Sequence, residues 1–290
     1  MRGGQRQVLL LMAGLAEAGH ENVLLASFQS PLQEAAARAG YTVGRAEAKE
    51  LWQSSKQAAI VHAHDARAHT LAAIASRRRF VVSRRVAFPV RRSVASLWKY
   101  QRARRFLAVS QFVAGQLQAA GIRKDRIDVV YDGVAATAAA EPWSAAHPAV
   151  ALASRDPQKG RDLVEQAAEL ARVRVLFSDD LAEDLLRASM FVYITRSEGL
   201  GSAALFAMAM GVPVIASDIG GLSEVVVNGD SGLLVANEAR DIAAAMRRTL
   251  DEPGLTASLV AQAKKRIADC FTKGHLVNGT LSSYERALAG

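Results

Sequence analysis

Apolar positions along the chain fall into two rhythms. Short, β-branched runs such as Val23-Leu24-Leu25, Phe106 to Val109 and Val212 to Ala216 are separated by longer stretches whose apolar residues recur every three or four positions. That alternation is the mark of parallel strands joined by crossover helices, so an α/β architecture is expected. In the first half the pattern predicts helices over 5–18, 31–39, 46–54, 66–76 and 111–120. Strands are expected near 22–27, 41–44, 58–62, 79–83, 106–109 and 127–130. Together these make one doubly wound domain over residues 1–134.

Residues 135–148 lack a period and carry Pro142 and Pro148, which reads as a linker. A second domain over 149–290 follows, with strands at 149–153, 173–177, 190–195, 212–216 and 232–235. Its helices are expected over 160–171, 180–188, 201–210, 221–227, 238–250, 254–270 and 274–288, the last of which could pack back on the first domain. A length of 290 residues suits two domains.

Half of the residues are hydrophobic and 22% are charged, so the chain has ample material for buried cores. The single cysteine, Cys270, rules out an intrachain disulfide framework and a cysteine-based zinc cluster. No apolar run approaches the roughly 20 residues that span a bilayer. The start of the chain loosely imitates a secretory leader, but Val8, Leu11, Met12 and Leu15 share a helical face and Gly19-His20 follows as a helix stop. The expected location is the cytoplasm, on the inner face of the membrane if the protein is peripheral.

The net charge of +8 is unevenly spread. From Arg67 to Lys124 there is no Asp or Glu, while Arg77, Arg78, Arg79, Arg84, Arg85, Arg91, Arg92, Lys99, Arg102, Arg104 and Arg105 are interleaved with Phe88, Trp98 and Tyr100. This window suits an anionic membrane surface or an anionic acceptor. Nucleic acid is not expected as a partner, since no recognition motif accompanies the charge.

The most informative stretch is Thr195-Arg196-Ser197-Glu198-Gly199-Leu200-Gly201-Ser202, between a buried strand and a helix rich in Ala and Met. Two glycines allow a tight loop, and the unpaired backbone N–H groups of Gly201, Ser202 and Ala203 can receive a phosphate. Downstream come Met210-Gly211-Val212-Pro213-Val214, then Gly220-Gly221-Leu222-Ser223-Glu224 and Asn228-Gly229-Asp230-Ser231-Gly232. The run from Arg196 to Val235 resembles the C-terminal signature of retaining glycosyltransferases of family 4. Ser154-Arg155-Asp156-Pro157-Gln158-Lys159-Gly160 resembles the loop in which that family carries an Arg and a Lys for the donor diphosphate. Gly3-Gly4-Gln5-Arg6, His62-Ala63-His64-Asp65 and Tyr131-Asp132-Gly133 resemble its N-terminal elements, so the likeness covers nearly the whole chain.

The resemblance implies a GT-B fold, two Rossmann-like domains facing a cleft, with a nucleotide-sugar donor held mainly by the second. It implies that Glu198 is catalytic and contacts the donor sugar, and that Arg155, Lys159, Gly199, Gly201, Ser202, Ala203 and Phe206 form the donor site. Gly3, Gly4, His64, Arg84 and Arg85 would serve the acceptor or a phosphate loop. The acceptor would be a glycan or a lipid-linked molecule. No metal or other cofactor is expected beyond the nucleotide-sugar substrate.

The chain departs from the family pattern in several places. Position 206 should be a glutamate that accepts hydrogen bonds from the donor ribose, a role Phe206 cannot fill. The N-terminal first strand is expected to be missing, and the C-terminal domain to be abbreviated by about one strand-helix unit. Arg84-Arg85 stands where many members have a histidine, and a guanidinium is no general base at neutral pH. Besides sugar transfer, two readings stay open: a catalytically impaired relative acting as a binding or partner subunit, and a nucleotide-sugar isomerase on the same fold.

Overall fold

The computed structural model describes residues 3–90, 93–135 and 138–289. Arg91 and Arg92 of the basic window, and Ala136 and Thr137 of the expected linker, lie outside the described residues. The chain divides into two compact units, one made of residues 1–133 with 273–290 and the other of residues 134–272. The stretch from 134 to 148 goes with the second unit, and the last helix, for which packing back on the first domain was one expectation, goes with the first. Both assignments follow from hydrogen bonding and packing that sequence periodicity does not report. The Trp143 indole donates to the Ser189 carbonyl at 2.8 Å, and the Ala140 and Glu141 amides donate to the Met210 and Leu186 carbonyls at 2.9 Å.

The first unit runs α1 (Gly3–Glu17), β1 (Val23–Ala26), α2 (Pro31–Arg38), β2 (Thr42–Arg45), α3 (Ala48–Ser54), β3 (Val61–Ala63) and α4 (Ala66–Ala75). It continues through β4 (Phe80–Arg84), α5 (Val94–Arg102), β5 (Arg105–Ala108), α6 (Gln111–Ala119) and β6 (Ile127–Val129). All of its strands pair in parallel, but in two separate sheets, β1-β2 and β3-β4-β5-β6. Helix α1 serves both. Its Val8 and Met12 pack with Leu24, Ala26 and Ala36, while Leu11 and Leu15 pack with Val81, Leu107 and Val130.

Among the described residues, β1 pairs only with β2 and β3 only with β4. The Ala46 amide donates to the Ala26 carbonyl and the Val61 amide to the Arg79 carbonyl. Because backbone groups alternate sides along a strand, the N–H and C=O of Leu25 and His62 then face away from β2 and β4, toward the other edges of β1 and β3. This is the place where a further parallel strand would complete a single sheet.

Helix α5 was not foreseen, because its run of Lys, Arg, Trp and Val has no buried stripe. It forms behind the Ser93 side chain, which accepts from the Ser96 amide. Val94, Leu97 and Trp98 lie exposed along it, while Tyr100 is buried and stacks on Phe106 at 5.3 Å.

The second unit runs β7 (Ala149–Leu152), α7 (Arg161–Ala171), β8 (Val175–Ser178), α8 (Leu181–Asp184), β9 (Met190–Tyr193) and α9 (Ser202–Met210). It ends with β10 (Val214–Ser217), α10 (Leu222–Val225), β11 (Leu233–Val235), α11 (Ala239–Asp251) and α12 (Pro253–Cys270). Its five parallel strands lie in the order β11-β10-β9-β7-β8. The expected helix over 180–188 is shorter, with α8 giving way to a 3₁₀ turn at Leu185–Arg187. Both sheet faces are covered by helices, so β9 and β10 are buried throughout and read as continuous apolar runs.

Helix α13 (Lys273–Ala289) belongs to the first unit, where Leu276 and Val277 join the cluster of Leu11, Leu15, Val81 and Leu107. No helix among the described residues is long and apolar enough to cross a membrane.

Candidate active site

In the second unit the strand order reverses between β7 and β9, since the chain leaves β7 for β8 on one side and enters β9 on the other. Loops at the carboxyl ends of two such strands diverge and leave a crevice, the usual ligand position in open α/β sheets. The loop after β7 carries Arg155 and Lys159, and the loop after β9 carries Glu198, Gly199 and Gly201. Strand order therefore joins the two segments singled out in the sequence.

Backbone hydrogen bonds lock the loops together. The Gln158 carbonyl accepts from the Arg196 amide at 2.7 Å and from the Thr195 hydroxyl at 3.0 Å. Thr195 is pinned from the other side, its amide donating to Ser217 Oγ at 2.9 Å and its carbonyl accepting from Asn237 Nδ2 at 3.0 Å. With the loops so held, Lys159 Nζ reaches Glu198 Oε2 at 3.1 Å. The other carboxylate oxygen accepts from the Gly199 amide at 3.1 Å.

Tyr193, absent from the residues selected by sequence, completes this group. Its hydroxyl donates to Glu198 Oε2 and lies 3.4 Å from Lys159 Nζ. Burial first, and then the neighbouring Glu198 carboxylate, push the phenol's pKa well above its ordinary value. The available signal was a lone hydroxyl-bearing residue closing an otherwise apolar strand, since a buried phenol needs a polar partner.

Helix α9 opens beside the group. Gly201, at φ +111°, is its N-cap and supplies no side-chain hydrogen bond, so the first-turn amides at Ser202 and Ala203 keep their capacity to bind an anion. A Cβ at Gly220 would lie 2.2 Å from the Glu198 carbonyl oxygen, and one at Gly221 2.1 Å from that of Gly199. The Gly-Gly turn is thus a packing requirement of the Glu198 loop. Ser202, Ala203, Phe206 and Ala209 are the partly exposed residues on one side of α9, with Phe206 one turn along from the helix start. Arg155 is exposed, and no ion pair among the described residues engages it.

In the first unit three of the five residues selected for the acceptor side converge. Arg85 donates to Asp132 Oδ1 at 3.0 Å, lies 3.4 Å from His64 Nδ1, and passes close to Gly4 at the start of α1. Gly3 is the first residue of that helix. Arg84 is not part of the cluster; its guanidinium turns to the Tyr100 hydroxyl and the Phe88 carbonyl.

His62 bridges the Tyr284 hydroxyl at 2.7 Å and Ser83 Oγ at 2.8 Å, and its ring lies tilted against that of His64 at 3.9 Å. Burial, followed by the Arg85 charge, lowers His64 to about 3, and burial with the His64 and Arg85 charges holds His62 well below its usual value. These imidazoles are neutral, and His62 has a structural role.

The basic window is partly consumed by the fold. Arg79 caps the end of α13 through the carbonyls of Ala287 and Leu288, and Arg105 grips Asp128 with two nitrogens. Arg102 stays exposed over the Trp98 ring at 5.4 Å.

Two Rossmann-like units of parallel strands, the second with its polar cluster at the switch point, define a GT-B protein. Among solved structures, Anabaena HepE in complex with UDP and glucose superposes with a TM-score of 0.83 at 18% identity, covering 98% of this chain and 96% of that one. A glycosyltransferase from Rickettsia africae ESF-5 gives 0.81 at 19% identity, covering 98% and 94%. Residues 1–137 match the family described as Glycosyltransferase Family 4, and residues 112–252 match Glycosyl transferases group 1. The chain belongs to this family of group 1, or family 4, glycosyltransferases. A D-inositol 3-phosphate glycosyltransferase of Rhodococcus jostii is 39% identical over 132 residues, 43% of this chain and 29% of that protein. An alpha-maltose-1-phosphate synthase of Mycolicibacterium smegmatis is 30% identical over 148 residues, 46% of this chain and 38% of that protein. The matched part thus spans well under half of these curated relatives.

Proposed function

We propose that the protein transfers a sugar from a nucleoside-diphosphate donor to an acceptor, with retention of anomeric configuration. The observation that carries this reading is the meeting of Lys159 and Glu198 at the switch point, beside the uncapped start of α9. In it, Glu198 accepts hydrogen bonds from the donor sugar, while Lys159, Arg155 and the Gly201, Ser202 and Ala203 amides receive the diphosphate. The Gly199 amide holds the other oxygen of the Glu198 carboxylate. Positioning of the substrates and stabilisation of the departing diphosphate supply the catalysis. The donor is the only small molecule assigned, with no metal.

On the acceptor side, Gly3, Gly4, His64 and Arg85 would meet a glycan or lipid-linked molecule that carries negative charge. The names of the curated relatives, which include a phosphorylated inositol, support an anionic acceptor. The exposed Val94, Leu97 and Trp98 with Arg102 suit an anionic bilayer surface, at about 1 kcal/mol for each basic side chain near it. Co-sedimentation with phosphatidylglycerol vesicles, reversed by salt and absent with phosphatidylcholine, checks that part.

Thermal shifts and donor hydrolysis across UDP-, GDP- and ADP-sugars test the main reading. At least one donor should raise the unfolding midpoint and turn over. A well-folded preparation that responds to none would overturn it. Phe206 favours a second reading, a binding or partner subunit with little turnover, in which nucleoside diphosphates still bind and no sugar is released.

A further inference from the structure

The hydroxyl of Tyr193 and the ammonium of Lys159 both reach Glu198 Oε2, but they are held differently. Tyr193 is 4% exposed at the end of β9, and its ring stacks on Phe191 at 5.6 Å. Lys159 lies on a loop, reaches the carboxylate through a long flexible side chain, and keeps 28% of that side chain exposed. Its one ammonium also faces the place assigned to the donor diphosphate. A dianion at the start of α9 is a stronger attraction for it than a carboxylate already bound by two other donors. When the ammonium turns to phosphate, Glu198 loses one of its three donors.

We propose that Tyr193 is a positioning residue that keeps the Glu198 carboxylate aimed at the donor sugar while Lys159 moves from that carboxylate to the diphosphate. This rests on the donor-site reading above. The phenol keeps its proton throughout, because burial and the adjacent carboxylate both oppose its ionisation, and so it remains a donor across the working pH range. No bond is made or broken at Tyr193.

The test is Tyr193→Phe, which removes the hydroxyl and keeps the ring, read by unfolding midpoint, nucleoside-diphosphate affinity, nucleotide-sugar affinity and kcat. The midpoint should shift little and nucleoside-diphosphate affinity should stay within about twofold. The extra affinity conferred by the sugar, and kcat, should each fall by roughly tenfold or more, the usual effect of losing one hydrogen bond to a charged group. In a Glu198→Gln background the same substitution should add little, because the two residues act together. Tyr193→Leu serves as a second variant, with a lower midpoint from the lost buried ring and the same expected split between nucleoside-diphosphate affinity and the sugar-dependent gain.

Full kcat and an unchanged sugar-dependent gain in Tyr193→Phe would overturn the proposal while leaving the donor-site reading standing. A parent protein that binds nucleoside diphosphate but gains nothing from the sugar would remove the reading of Glu198, and this proposal with it.

Discussion

Lys159 and Glu198 are 39 positions apart in sequence, and their charged atoms are 3.1 Å apart. The pair is partly exposed, and on a surface such a contact would contribute little to stability. Its significance is local: in the proposed function a charged ligand would part this cation from this anion.

Removing the ammonium should therefore affect binding before it affects folding. Lys159→Met is expected to weaken nucleoside-diphosphate affinity by roughly ten- to a hundredfold, as for loss of a charge-assisted contact. Isothermal titration with UDP and GDP checks this. An unchanged affinity would move the diphosphate elsewhere.

Phe206 presents an apolar ring where the family pattern has a carboxylate. Phe206→Glu should tighten binding of a nucleoside diphosphate by about tenfold or more through hydrogen bonds to the ribose diol. A 2′,3′-dideoxy nucleotide should show no such gain. Equal gains for both would mean that the new charge acts without touching the ribose.

Packing at the Gly-Gly turn predicts a sharp contrast between two glycine substitutions. Gly221→Ala drives a methyl into the Gly199 carbonyl and should cost roughly 2–4 kcal/mol, with loss of nucleotide binding. Gly115→Ala, in the middle of α6 with open space around it, should stabilise by about 0.5–1 kcal/mol. Urea unfolding of both variants measures the difference.

The buried imidazoles set an acid limit on the first unit. In the unfolded chain they titrate near 6.5, whereas in the fold His64 is lowered to about 3, His69 to about 4 and His62 also well down. The unfolded chain then binds more protons, so their contribution is complete above pH 6.5 and is lost as the pH falls below it. Each such group adds a slope of about 1.4 kcal/mol per pH unit. Urea unfolding at pH 5 and 7.5 should show the loss, and His64→Asn should reduce it by about one proton's share.

The edges of β1 and β3 should be visible in hydrogen exchange. The amides of Leu25 and His62 point toward the gap between the two sheets of the first unit. They should exchange faster than those of Val192 and Ile215, which lie in strands paired on both sides. Equal protection would mean that the gap is filled.

Much of this architecture was legible along the chain. The change between strand and helix rhythms located nearly every element, because burial on one helix stripe or both sheet faces leaves a periodic record in sequence. The exceptions have specific causes. Helix α5 buries Tyr100 but leaves Val94, Leu97 and Trp98 outward, so its period signals no core. In the expected linker, the Ala140 and Glu141 amides donate to the carbonyls of Met210 and Leu186, which no local pattern announces. Tyr193 looked like one more residue of a buried strand.

By itself the sequence determined the α/β class, the glycine-bearing loops and the identity of Glu198, Lys159 and Arg85, since these depend on local backbone freedom and residue chemistry. Tertiary structure alone decided the strand order that joins the loops after β7 and β9. It also decided the partners of Tyr193, the packing of α13 against Leu11, Leu15 and Val81, and the division of the first unit's strands into two sheets. The physical reason is that hydrogen bonds across strands, and contacts made at a switch point, depend on which segments become neighbours in space. A local period records which residues are buried and leaves open what they are buried against.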